Sequence, residues 1–399
     1  MVFCLVSWFH RGRSPQSHWL LPILAFLCVP LLPSPSTAAV VGIPDPNFEA
    51  ILRDTLGKPE GNIEVSDLAG IEVLYATDAE ILDVEGIEYC TGLKKLGLHQ
   101  NRIGNLKPIS TLTQLEYLHL GDNGLSSIEI IAPLTHLKKL LLHANEITDL
   151  TPLTGMKELT YLDLAVNQIS DLTPLEKLPQ LIALDLRLNK ISDIAPLAHL
   201  QNLIGLNIGE NQVADLSPLA NLHKLKRLYA YSNQFRDLSP LSSLSELIWL
   251  HLGNNQIESV TPIANLTNLT KLVLDSNKIV DVAPLTVYKN LEELNLHNNR
   301  VHDLTPFVED PDFKPQSIVL LGNPLDKEAA TTQVEQLSDR GIDVRWWRSA
   351  MALGQFSGEG GKALEFPKQP PAIPVLTYVL MALVFIGIVL IWRAFGRRV

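Results

Sequence analysis

The segment LTYLDLAVNQISDLTPLEKL, residues 159–178, decides the fold, because its skeleton returns every 22 residues. Asparagines stand at Asn101, Asn123, Asn145, Asn167, Asn189, Asn211, Asn233, Asn255, Asn277 and Asn299, ten copies at one spacing. A fixed period of this size marks a stack of repeats, in which each copy is one supersecondary unit. Within the quoted copy, apolar residues precede Asn167 at Leu159, Leu162 and Leu164 and follow it at Ile169, Leu172, Leu175 and Leu178.

Leu162 and Leu164 are two apart, the spacing of a short strand with one buried face. After the asparagine, Asp171 and Thr173 supply capping side chains, and Pro174 suits the first position of a short helical turn. Each copy therefore reads as strand, corner and returning segment. One copy cannot cover its own leucines, so copies stack and their strands join into a continuous parallel sheet. The repeated asparagine has a structural task at the corner, where an amide both donates to and accepts from backbone groups that the bend leaves unpaired. An aspartate four residues later, present in seven of ten copies, reads as a turn cap in preference to a calcium ligand.

The pattern LxxLxLxxNxIxDLxPLxxL of residues 159–178 resembles the 22-residue leucine-rich repeats of bacterial internalin-type surface proteins. IPDPNFEAILRDTLGK, residues 43–58, is similar to the capping helix of that family. It also reads as a helix unaided, with Asp45 as cap, Pro46 first, Phe48, Ile51, Leu52 and Leu56 on one face, and Gly57 at its end. A degenerate copy with Ala79 in the asparagine place follows, and residues 317–346 resemble a terminal repeat with a closing helix. The resemblance implies an α/β repeat solenoid, a horseshoe whose parallel sheet lines the concave face, and it covers residues 43–346. The wall-sorting motif with a Leu-Pro-x-Thr-Gly core that often ends its Gram-positive members is missing from this sequence.

Both chain ends carry a different signal. Residues 1–39 run from Arg11 and Arg13 through an apolar stretch to small residues at Ala38 and Ala39, the order of a secretory signal peptide. Residues 373–392 hold no charge over a length that spans a bilayer, and Arg393, Arg397 and Arg398 follow it, which places residues 393–399 on the cytoplasmic side. PAIPVL ahead of that span looks like an exosortase-type sorting tail. The expected order is signal (1–39), N-terminal helical cap (40–70), repeats (71–316), terminal repeat and cap (317–348), Gly- and Pro-rich spacer (349–372), membrane span and basic tail. The chain would then be exported and held by a single anchor in a bacterial cell envelope.

All 43 acidic residues but only 27 of the 32 basic ones lie between the two end segments, which leaves the body at about −16 and disfavours nucleic acid as a partner. Cys90 is the one cysteine outside the end segments, and it takes a place where other copies have a buried leucine or methionine. No nucleotide loop, nucleophile motif or paired-cysteine motif occurs, so no catalytic residue and no cofactor is expected.

Function must then lie in residues that the repeat does not dictate. Positions six, four and two before each asparagine alternate with the buried leucines and face away from the core. Along the stack they gather two groups. His99, His119 and His143 invite a metal reading, which a two-strand separation near ~10 Å between His99 and His143 disfavours, leaving polar contact residues. Asp185, Arg187, Asn207, Arg227, Tyr229, Tyr231, Trp249 and His251 form the second group. There the low strand Gly205–Asn207–Gly209 is expected to form a shallow depression with an aromatic and arginine wall, Trp249 supporting the Arg227 guanidinium. Tyr, Trp and Arg dominate interface energetics, so the expected role is non-enzymatic binding of a partner protein, in adhesion or envelope assembly. The alternatives are a glycan ligand, a signalling co-receptor, a purely structural sheet or, without export, the cytosolic phosphatase-regulating proteins that share the repeat.

Overall fold

The computed structural model describes residues 39–346. The expected signal up to residue 38, and the spacer, membrane span and tail beyond 348, lie outside the described residues, among which no helix is long and apolar enough to cross a membrane. Thirteen strands form one sheet in strict chain order, and every pair is parallel. They are β1 Val73–Tyr75, β2 Lys95–Gly97, β3 Tyr117–His119, β4 Lys139–Leu141, β5 Tyr161–Asp163, β6 Ala183–Asp185 and β7 Gly205–Asn207. Then come β8 Arg227–Tyr229, β9 Trp249–His251, β10 Lys271–Val273, β11 Glu293–Asn295, β12 Ser317–Val319 and β13 Asp343–Arg345.

Each strand is only three residues long, since the corner turns the chain away at once, and its middle residue alone points into the core across nearly all the strands. In β5 and β6 these middle residues are Leu162 and Leu184, which lie opposite one another in register. All seven apolar positions of the quoted copy are buried, Leu159 through Leu178. The returning segment is a 3-10 turn over Thr173–Lys177 with Pro174 at its start. Its entry is closed by Asp171 Oδ1, which accepts from Thr173 N at 2.9 Å. The other six aspartates at this place make the same bond, for example Asp149 to Thr151 N and Asp303 to Thr305 N. A short side-chain acceptor here satisfies a donor that a turn would otherwise leave bare.

The asparagine of each copy ties two copies together. Asn167 Nδ2 donates to Leu164 O and Ala165 O of its own copy and to Leu142 O of the preceding one, at 3.0, 3.2 and 3.1 Å. Its Oδ1 accepts from Ile147 N, also in the preceding copy, at 3.0 Å. To reach that corner the residue before each asparagine takes a left-handed conformation, with φ between 53° and 58° in all ten regular copies. At Val166 (φ 58°) this conformation is imposed on a β-branched side chain.

Two helices precede β1. In α1, Pro46–Leu56, Asp45 Oδ1 accepts from Asn47 N and Phe48 N, and Gly57 ends the helix in the left-handed region, where glycine carries no Cβ penalty. Phe48 and Leu52 enter the same core as the leucines of the first copies. Asp45 Oδ2 further accepts from Leu82 N at 2.7 Å, which fastens the helix to the degenerate copy. The short helix α2, Val65–Ala69, then leads into the sheet. Beyond the repeats, a helix over Val334–Asp339 buries Val334 and Leu337, and buried Gln333 accepts from Leu304 N at 2.7 Å.

Candidate sheet-face binding site

The solvent face of the sheet is built by the outer residues of each strand and the residue two before each asparagine. Its side chains lean on one another from strand to strand. Near the start, the His99 and His119 rings stack with centroids 3.9 Å apart, and His143 lies 5.1 Å from His119. His143 is seated over Gly121, whose Cβ, if it had one, would stand 2.7 Å from His143 Nε2. Its Nδ1 lies 3.1 Å from Asp163 Oδ2. No cluster of histidine, cysteine and acidic groups among the described residues has the arrangement of a metal site.

Burial, and then the neighbouring His99, His143 and Lys139, push His119 down to about 3, so it is neutral at physiological pH. Burial also opposes protonation of His143, but the hydrogen bond and charge of Asp163 outweigh it and the imidazole is held above its ordinary value. Cys90 is fully buried and its thiol is pushed up to about 12 by desolvation and then by Glu88, so it is an inert core group.

In the second group the sequence places paired positions side by side. Asp185 on β6 lies opposite Asn207 on β7, and Tyr229 on β8 lies opposite His251 on β9. The Asp185 carboxylate, 14% exposed, accepts from Arg187 N at 3.0 Å and from Asn207 Nδ2 at 3.3 Å. Desolvation, and next the charge of Asp163 on β5, push it up to about 7. Arg187 Nε approaches Asp185 Oδ2 only to 3.7 Å, an ion pair too long to be a hydrogen bond. Tyr231 stacks on His251 with centroids 4.7 Å apart, and Tyr229 lies 5.5 Å from Trp249. Arg187 Nε and Trp249 Nε1 are buried and have no hydrogen-bond acceptor among the described residues.

Two expectations about this group are corrected. The cation over the Trp249 ring is Lys271, 4.8 Å from its centroid; Arg227 and Lys271 are both register neighbours of Trp249, but Arg227 stretches instead toward Gly205. The low strand is also not an open trough along its whole length. The Tyr231 ring lies over Gly209, where an added Cβ would come within 2.5 Å of Cε1, so the missing side chain is already replaced by an aromatic one. Only the Gly205 end stays low, with Arg227 Nε at 4.0 Å as its nearest neighbour. The same seating explains why the outermost row is partly covered: Gly121, Ala165, Gly209 and Gly253 are all buried. Sequence reasoning missed Lys139, whose ammonium sits between the rings of Tyr117 and Tyr161 at 5.7 and 4.3 Å, and Asp275, which lies over Gly253 and 3.8 Å from His251 Nε2. The period-22 map held the signal for both, since each occupies an outward position beside an aromatic ring or an imidazole.

The repeat fold is shared with known proteins. Family models described as leucine rich repeats, two copies each, match residues 91–133, 113–155, 157–199, 201–243 and 245–287. Among solved structures, an internalin (inlF) from Listeria monocytogenes is 30% identical with a TM-score of 0.68, over 77% of this chain and 96% of that one. A leucine-rich repeat protein of Leptospira interrogans is 25% identical with a TM-score of 0.60, over 71% and 79% of the two chains. A plant peptide hormone receptor, RGFR1, solved in complex with RGF2, is 26% identical with a TM-score of 0.55, over 65% of this chain and 49% of that one. No curated protein sequence matches the chain.

Proposed function

Because the chain belongs to the internalin-type leucine-rich repeat proteins of bacteria, we propose that it is a non-enzymatic binding protein whose sheet face captures a partner protein. The supporting observation is the cluster of Tyr229, Tyr231, Trp249 and His251, in which Tyr231 stacks on His251 while Tyr229 meets His251 edge-on and Trp249 at a tilt. Rings already seated on one another and on Gly209 lose little freedom when a partner arrives, which lowers the entropic cost of association. The buried donors Arg187 Nε and Trp249 Nε1 cost free energy while they lack acceptors, and a partner's carbonyl or carboxylate oxygens would relieve that cost. The strands of the ten regular copies, spaced by ~4.8 Å within the thirteen-strand sheet, give a face roughly 45 Å long, the scale of a protein interface.

The same reading takes α1 and the closing helix as caps on the two ends of the leucine stack. The body would be exported by residues 1–39, held off a membrane by residues 349–372 and anchored by residues 373–392, with adhesion or envelope assembly as the setting. These assignments rest on the sequence signals alone. Partner capture from surface extracts with the full-length chain, followed by rebinding of the purified captured polypeptide to a Tyr229→Ala/Trp249→Ala variant, tests the site. Rebinding at unchanged affinity would remove this patch from the interface.

A further inference from the structure

The residues six before each asparagine form a row along one border of the sheet face, and its chemistry is one-sided. From β2 to β10 the row reads Lys95, Tyr117, Lys139, Tyr161, Ala183, Gly205, Arg227, Trp249 and Lys271, with no carboxylate before Glu293 on β11. Four cations in nine places are unusual on a chain of net charge −11. The neighbouring row one residue earlier pairs its own charges, Lys94 with Glu72 at 3.4 Å and Lys138 with Glu116 at 3.1 Å. By contrast Lys95, Lys139 and Arg227 make no salt bridge and no side-chain hydrogen bond among the described residues, and Lys271 reaches Glu293 only at 3.7 Å. Lys139 instead rests between two tyrosine rings, and Lys271 rests on Trp249. Ammonium, guanidinium and indole N–H groups are donors that cannot accept. The ammonium and guanidinium groups of the row therefore present donors to solvent and find few acceptors within the row, while Trp249 Nε1 in its midst is buried and unpartnered among the described residues.

We propose that this row is the docking track for an extended acidic peptide segment of the partner, running along the stacking direction with carboxylates aimed at Lys95, Lys139, Arg227 and Lys271. The inference rests on the reading of the sheet face as a protein-binding surface and names the chemistry of what it takes. The spacing sets the sequence of the guest. Lys95 and Lys139, like Arg227 and Lys271, are two strands apart, about 9.6 Å at ~4.8 Å per strand, and one three-residue turn of a guest in the extended polyproline II conformation covers about 9.3 Å and returns to the same face. Carboxylates at every third residue of such a guest thus meet successive cations. Between the two pairs, Ala183 and Gly205 leave room for the guest backbone, since a Cβ built on Gly205 touches nothing closer than Arg227 Nε at 4.0 Å. The rings between the cations hold the ammonium groups in place and exclude water from one side of each ion pair, which strengthens them.

The test is the affinity of full-length protein for a synthetic thirteen-residue peptide with glutamate at every third position from the first to the last, about 37 Å end to end and so long enough to run from Lys95 to Lys271, measured by fluorescence anisotropy at low and moderate salt. Its control carries lysine at the same positions. The expected result is saturable binding of the glutamate peptide alone, weakening as salt rises. A Lys139→Glu/Arg227→Glu variant should bind at least tenfold more weakly, and a Lys94→Glu/Lys138→Glu variant, altered in the self-paired row, should bind as wild type. Equal binding of both peptides, or full affinity in Lys139→Glu/Arg227→Glu, would overturn the proposal. Preference for oligogalacturonate over the glutamate peptide at equal charge would overturn it too, by making the guest an anionic glycan. Loss of the purified partner in Tyr229→Ala/Trp249→Ala with unchanged peptide binding in the charge-reversed variant would leave the protein-binding face standing and remove only the acidic track.

Discussion

The ring of Tyr231 occupies the space that a side chain at Gly209 would need, and a Cβ there would lie 2.5 Å from Tyr231 Cε1 and 2.7 Å from its Cζ. The obstacle is the far end of a side chain and not backbone, so the ring can swing away at small cost. The three nearest atoms to that Cβ all belong to the ring, so once the ring has swung away Gly209→Ala should change stability by no more than about 0.5 kcal/mol, as a substitution at the surface does. It should nevertheless dislodge Tyr231 from its 4.7 Å stack on His251 and weaken partner binding. Thermal unfolding beside affinity for the purified partner separates the two effects, and a variant with wild-type affinity would show that the seat does not matter.

Asn167 and Asn255 occupy the same place in two copies and differ in one bond. Both donate to three carbonyls, but only the Oδ1 of Asn167 receives a backbone donor, from Ile147 N, while that of Asn255 is buried with no partner among the described residues. Each backbone group left bare in the interior costs about 1–3 kcal/mol. Asn167→Ala should therefore destabilise by about 3 kcal/mol, and Asn255→Ala by roughly 1 kcal/mol less, in denaturant unfolding. Equal losses would mean that the accepted bond contributes nothing.

The Asp185 carboxyl is pushed up to about 7, far above an unfolded aspartate. Because its folded value is raised, its contribution to stability is fully present below the unfolded value near ~4 and is lost as pH climbs through about 7. Asp185→Asn removes that titration. Its stability relative to wild type should rise between pH 5 and pH 8, by on the order of 2 kcal/mol. Comparing the two proteins cancels the opposing effect of His119, which is lowered and so weakens the fold as pH falls below its ordinary value. A difference independent of pH would refute the buried-carboxylate account.

Val166 is held at φ 58° at the corner before Asn167, where its branched Cβ crowds the backbone, and it is exposed at 41%. Asparagine tolerates this conformation, as Asn254 and Asn298 do at the same place with φ 53° and 54°. Val166→Asn should accordingly stabilise by about 1 kcal/mol. A fall in the unfolding midpoint would show that the side chain packs usefully where it is.

The scaffold was legible because the stack enforces one rule on every copy: the leucine places, the asparagine corner and the aspartate turn recur at fixed offsets and can be read without coordinates. One copy departs from that rule and fills its own gap. Ala230 takes a buried leucine place and Phe235 a buried isoleucine place in one layer, and both are fully buried. What the period could not supply was the lean of long outward side chains. A strand map puts Arg227 and Lys271 at equal distance from Trp249, and only rotamers decide which cation lies on the ring. Likewise an empty place at Gly209 in the sequence is a filled one in space, because Tyr231 from the next copy folds back over it. Across a sheet whose neighbours are ~4.8 Å apart, a tyrosine reaches the adjacent strand, so faces built from large and absent side chains level themselves.

The measurement that bears most directly on the function is the affinity of the purified partner for wild-type protein and for Tyr229→Ala/Trp249→Ala, taken together with thermal unfolding of both. Truncating two central aromatic residues of an interface costs about 2 kcal/mol or more each, so the expected result is at least a hundredfold loss of affinity. The unfolding midpoint should stay within about 2 °C, since neither ring is part of the leucine core. Wild-type affinity in a variant that remains folded would contradict the assignment of this face.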